Sequence, residues 1–107
     1  MTTAVLGNDE TGAGFVSDTD NRRWSYAGPL TYANASAVLA LSKEMELPMS
    51  GEVDLNDVDA IDSAAVAVLL ELKRRAVAEK RSLTFVDVPP TLAALADLYG
   101  VDQMLVT

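Results

Sequence analysis

Residues 53–79 read VDLNDVDAIDSAAVAVLLELKRRAVAE, and the fold follows from how this stretch divides. Val53 and Leu55 supply the β-branched and apolar character of a buried strand over residues 52–55, which the polar pair Asn56-Asp57 ends. From Asp62 the pattern changes. Val66, Leu69, Leu70, Ala76 and Val77 recur at helical spacing and predict one broad apolar stripe on a helix reaching Lys80. Asp62 and Ser63 both carry the short oxygen-bearing side chains that satisfy free N–H groups at a helix start. A strand, a tight acidic loop and a long helix therefore form the expected centre of the chain.

Upstream, Gly14–Ser17 and Arg22–Leu30 read as two strands joined through the turn-forming run Asp18-Thr19-Asp20-Asn21, with Trp24 and Tyr26 on one face and Gly28-Pro29 ending the second strand. Thr31 is placed to cap a helix reaching Glu46, with Ala35, Val38, Leu39, Leu41, Ser42 and Met45 on its less polar side and Pro48 stopping it. Downstream, residues 82–86 are β-rich. Pro89-Pro90 breaks the chain, and Thr91–Tyr99 forms a short apolar helix closed by Gly100. Met104, Leu105 and Val106 are expected to cover an end of the core. The order β-β-α-β-α-β-α implies an α/β domain with a mixed, mostly parallel sheet of about four strands and three or four helices. Residues 1–12 lack periodicity and are expected to form a flexible terminus, which leaves residues 13–107 as one domain.

Composition excludes several kinds of chemistry. Cysteine and histidine are both absent, so disulfides, thiol nucleophiles, thiolate metal sites and the usual neutral-pH base are absent too. Net charge is −8, from 16 acidic and 8 basic residues. That balance repels nucleic acid and anionic lipid and suits a basic partner surface, although acidity also simply keeps a small protein soluble. No apolar run approaches the ~18–20 residues of a bilayer span. The opening MTTAVLGNDE lacks the basic region of a secretory signal, so a cytoplasmic location is expected.

Asp54, Asp57, Asp59 and Asp62 invite a metal reading. Counted from Asp54, however, the fifth and twelfth positions of an EF-hand loop fall on Val58 and Ala65, and no glycine is present. Loop charge and helix capping account for these carboxylates. Neither a glycine-rich phosphate loop nor a nucleophile elbow occurs, and no catalytic residue, metal or cofactor is expected. With the apolar stripe against the sheet, Ala64, Ala67, Val68, Glu71 and Arg75 fall on the outward face of the long helix. Small and apolar residues there fit a docking surface; alanine is equally the best helix former. Lys73 interrupts the inner stripe and has to carry its charge outward.

The topology, the run Val53-Asp54-Leu55 and the motif Asp62-Ser63-Ala64-Ala65-Val66-Ala67 resemble STAS domains, the sulfate-transporter and anti-sigma-factor antagonist family. The length, the alanine- and leucine-rich helix and the ending Thr91-Leu92-x-x-Leu95-Ala96-x-Leu98-Tyr99 are most similar to the STAS subunits of Mla phospholipid-transport ABC systems. The resemblance implies a bacterial, non-catalytic regulatory or assembly subunit that binds the cytosolic ABC transporter ATPase through the start of the long helix. Such a protein is peripheral at the inner membrane through its partner and able to form a homodimer without it. Asp62, Ser63, Ala64, Ala67, Val68, Glu71 and Arg75 are the expected partner-binding residues. The alternative within the family is an anti-sigma-factor antagonist that binds an anti-sigma kinase. The family's usual phosphoacceptor position falls on Ala64, which leaves Ser63 as the possible acceptor; otherwise Ser63 caps the helix or contacts the partner.

Overall fold

The computed structural model describes residues 6–8 and 13–101. Five strands pair in sequence order: β1 (Leu6–Asn8), β2 (Gly14–Ser17), β3 (Arg23–Leu30), β4 (Glu52–Ile61) and β5 (Thr84–Val86). The first two pairings are antiparallel; β3–β4 and β4–β5 are parallel. Helices α1 (Ala35–Ser42) and α2 (Ser63–Ala78) make the crossovers, and α3 (Pro90–Leu98) follows β5. The α/β class and the mixed sheet match the expectation, and β1 is a strand that the sequence pattern does not reveal. Met104, Leu105 and Val106 lie outside the described residues.

Alternation along the strands shows which face is covered. Ser17, Trp24, Val53 and Phe85 form one cross-strand row and are all buried, and Phe15 pairs with Tyr26 beside them. The neighbouring row, Val16, Ser25, Asp54 and Val86, is exposed or half-buried. The helices therefore cover one face and the other meets solvent. Phe15 stacks edge-on against Tyr26 at 4.8 Å between ring centres and tilts against Trp24 at 5.4 Å. The Trp24 indole donates to Asn21 Oδ1 (3.2 Å), and the Asn21 amide donates to the carbonyls of Leu47 (3.1 Å) and Glu46 (3.3 Å). One side chain thus ties the β2–β3 turn to the segment that enters β4. Gly51, at φ +77°, completes this corner: an added Cβ would lie 2.6 Å from the Ser82 carbonyl oxygen.

Three element boundaries differ from the sequence reading, each for a local reason. Strand β4 does not end at Leu55. It continues to Ile61 beside β3, absorbing one extra residue between Asp54 and Asp57 and another between Val58 and Ala60. The Asp54 carboxylate accepts the Asn56 N–H (2.8 Å) at the first of these bulges, so the polar run bends the strand instead of terminating it. Asp57 and Asp59 accordingly lie on a strand, not in a loop. Strand β3 likewise passes through Gly28 and Pro29, where a register shift accommodates the missing proline N–H. Helix α1 is shorter than the expected span to Glu46. Asn34 turns its side chain back to Thr31 N–H and the Pro29 carbonyl (3.0 and 2.9 Å), which delays the start. At the other end, Lys43, Glu44 and Met45 donate to carbonyls three residues back, tightening the chain out of the helix.

Helix α2 packs its Ala65, Val66, Val68, Leu69, Leu72 and Ala76 into the core. Lys73 is half-buried, donates to the Leu83 carbonyl (2.5 Å) and sits 5.5 Å from the centre of the Phe85 ring. Desolvation lowers its pKa below the ordinary 10.5. The unfolded chain therefore binds more protons than the folded one between that lowered value and 10.5, so stability should rise with pH through this window and fall as pH drops through the lowered value. Urea titrations across it test the sign: the rise is expected in the native chain and should be missing from Lys73→Met.

Candidate functional site

Strand β4 delivers Asp62 to the start of α2, and Asp62 makes the cap. Its carboxylate accepts the Ala64 N–H (2.8 Å) and also the Tyr32 N–H (3.0 and 3.2 Å to its two oxygens). One side chain thus ends β4, opens α2 and anchors the turn before α1. Ser63 is the first helical residue, exposed, and not the cap. Asp62→Ala removes both sets of acceptors and should cost about 1–2 kcal/mol in urea denaturation. Faster amide exchange at Tyr32 and Ala64 is expected with it, whereas Asp62→Asn, which keeps one acceptor oxygen, should recover much of the loss.

The outward face of α2 differs from the sequence reading. Ala67 is exposed and Ala64 half-buried, but Val68 is only 3% exposed and belongs to the core. Arg75, two turns beyond Val68 on the same side, donates to the carbonyls of Ser42 (3.1 Å) and Met45 (2.6 Å), and pairs with Glu79 at 2.8 Å. It therefore fastens α1 to α2. Glu71 is exposed and pairs with Arg74 at 3.4 Å. Conversely, Val77, expected to face inward, is 75% exposed. At ~100° per residue, the observed outward face is turned from the expected one by about 80°, toward α3. α1 packs against α2 on the side where Arg75 reaches the Ser42 and Met45 carbonyls, and Val68 lies on that same side.

What the fold exposes instead is a shallow apolar groove of about 310 Å³ between the first two turns of α2 and the chain after α3, lined by Ser63, Val66, Ala67, Leu70, Tyr99 and Val101. Its far wall is fixed by the end of α3. Gly100, at φ +72°, donates to the Asp97 carbonyl (3.0 Å), and Val101 donates to that of Ala96 (2.9 Å), folding Val101 back beside α2. Tyr32, 84% exposed, stands at the same end through its N–H bonds to Asp62. Leu70, Tyr99 and Val101 escape the sequence reading of the docking residues. The run Leu98-Tyr99-Gly100-Val101, apolar residues around a helix-ending glycine, is the signal that could have found the last two.

The acidic residues along β4 and at the start of α2 do separate structural work. Asp54 accepts Asn56 N–H and pairs with Arg23 (3.5 Å), while Asp62 caps α2. Among the described residues no three potential metal ligands converge.

The fold is thus a single mixed-sheet α/β domain with a shallow apolar groove beside a helix shoulder of small residues. The family model described as "Mlab, STAS domain" matches residues 18–107, and the chain belongs to this family of STAS domains, which are typically non-enzymatic. Comparison with curated proteins returns no match.

Proposed function

We propose that this chain is a non-catalytic regulatory or assembly subunit that docks on the cytosolic ATPase of a phospholipid-transport ABC system. The start of α2 and the adjoining groove meet the partner. The observation that carries the reading is the strip of exposed Ser63 and Ala67 with half-buried Leu70, lining one groove with Tyr99. Small side chains at Ser63 and Ala67 let another backbone approach α2 closely, and Leu70 and Tyr99 offer apolar area once water is displaced. Within the earlier set, Asp62 and Ala64 frame this strip and Glu71 lies at its edge. Val68 and Arg75 are occupied inside the domain. The family match over nearly the whole described chain supports the transport-subunit reading. Among the described residues no helix is long and apolar enough to cross a membrane, so attachment at the inner membrane would come through the partner.

Co-purification with the cognate ABC ATPase tests the proposal. Ala67→Arg should abolish capture while leaving the circular dichroism spectrum unchanged; undiminished capture by that variant would rule out this surface. One observation favours a second reading: Ser63 is exposed at the first position of α2, open to a kinase. An anti-sigma-factor antagonist using Ser63 as acceptor should yield phosphoserine at that position with its cognate anti-sigma kinase, detected by mass spectrometry. An unmodified Ser63 after such incubation removes that reading.

A further inference from the structure

The basic residues of this chain are gathered toward one end along the strand direction, while acidic residues occur at both. Its lysines and arginines are Arg22, Arg23, Lys43, Lys73, Arg74, Arg75, Lys80 and Arg81. The contacts place most of these toward the end where the parallel strands begin. Arg23 pairs with Glu52 (3.6 Å) at the first residue of β4, Arg81 donates to the Pro48 carbonyl (2.6 Å), Lys43 caps α1, and Arg75 holds the carbonyls that follow it. The opposite end, with Tyr32, the start of α2 and the groove, is built from residues 30–34, 57–70 and 95–101, which contain no lysine or arginine. It does contain Asp57, Asp59, Asp62 and Asp97. Asp62 adjoins Ser63, Asp97 lies two residues before Tyr99, and Asp57, Asp59 and Asp97 are exposed. An apolar groove therefore opens into a field of one sign.

We propose, resting on the docking reading above, that the groove receives a basic segment of the ATPase partner, in which an apolar side chain enters between Ala67, Leu70 and Tyr99 and flanking lysines or arginines face Asp59, Asp62 and Asp97. Charge complementarity selects this occupant. A second copy of the chain would set acidic rim against acidic rim, and an anionic lipid surface would be repelled in the same way. The apolar centre supplies the affinity, and the rim supplies the steering and the discrimination against other surfaces.

The test is a titration of the full chain into the cognate ABC ATPase at low and high salt. Raising NaCl from about 50 mM to about 500 mM should weaken binding about tenfold through slower association, because the rim charges are exposed. Asp97→Lys and Asp59→Lys should each weaken it several-fold and flatten the salt dependence. Ala67→Arg should weaken it at both salt concentrations, and Tyr99→Ala, a second groove variant without added charge, should raise the dissociation rate. Circular dichroism checks that each variant folds. Binding that is indifferent to salt and to both aspartate reversals, yet lost in Ala67→Arg, would overturn the basic-partner inference and leave the docking surface standing. No binding at either salt concentration would remove the docking reading and this inference together. Self-association of the chain that is blocked by Ala67→Arg would make a second copy the occupant and would also overturn it.

Discussion

Ala67→Arg should leave the stability of the domain unchanged, and Val68→Arg should strongly destabilise it, although the two positions are adjacent and both precede any charge on α2. Ala67 points into solvent at the groove, so a long guanidinium can extend into water with a stability change within about 0.5 kcal/mol. Val68 is 3% exposed on the side of α2 that α1 covers. Arginine there would overfill a close-packed site and bury a charge without a partner, a cost of about 4 kcal/mol or more. A domain of this size is stable by about 5–15 kcal/mol, so much of the margin is lost. Thermal denaturation of both variants reads the difference directly. A folded Val68→Arg with a native melting temperature would mean that α2 is turned as the sequence alone suggested, with Val68 outward.

Trp24→Ala should produce the largest loss from any single aromatic, about 3–5 kcal/mol in urea denaturation. Trp24 is fully buried, packs on Phe15, and pairs across the sheet with both Ser17 and Val53. Its indole N–H also holds Asn21 Oδ1 while the Asn21 amide binds the Glu46 and Leu47 carbonyls, so the substitution loosens the loop into β4 as well as opening a cavity. Trp24→Phe separates the two contributions: it keeps most of the ring volume and removes the hydrogen bond, and should cost about 1–2 kcal/mol. A loss under about 1 kcal/mol for Trp24→Ala would show that this corner does not organise the fold.

The class of the fold was legible because the strands that matter alternate cleanly. Buried Trp24 and Tyr26 alternating with exposed Arg23 and Ser25, or Val53 and Leu55 flanking Asp54, announce a half-buried sheet. The long extension of β4 was not legible, since Asn56-Asp57 is an ordinary strand terminator and only the bulges against β3 let the chain run on. The direction in which α2 faces was ambiguous for a different reason. Ala64 through Leu70 are apolar on every side, so periodicity in the first two turns permits several inner stripes. The full length of the helix carried the better signal: Ala65, Leu69, Leu72 and Ala76 follow helical spacing and are all buried, and starting from them would have put Val77 outside. Arg75 could not be read as a clamp on α1 without knowing that its partners were backbone carbonyls far away in sequence. Tyr99 and Val101 were hidden because the groove is made by two segments that only the α2–α3 packing brings together.

The central claim, that the start of α2 and the chain end after α3 form the surface that meets the ATPase, is tested most directly by hydrogen exchange of the chain alone and in complex with that ATPase. Slowed exchange is expected at residues 63–70 and 97–101 and around Tyr32, with little change at residues 84–86 and on the open face of β3. Slowed exchange on the open sheet face or around Lys43 and Arg81, with residues 63–70 unchanged, would contradict it.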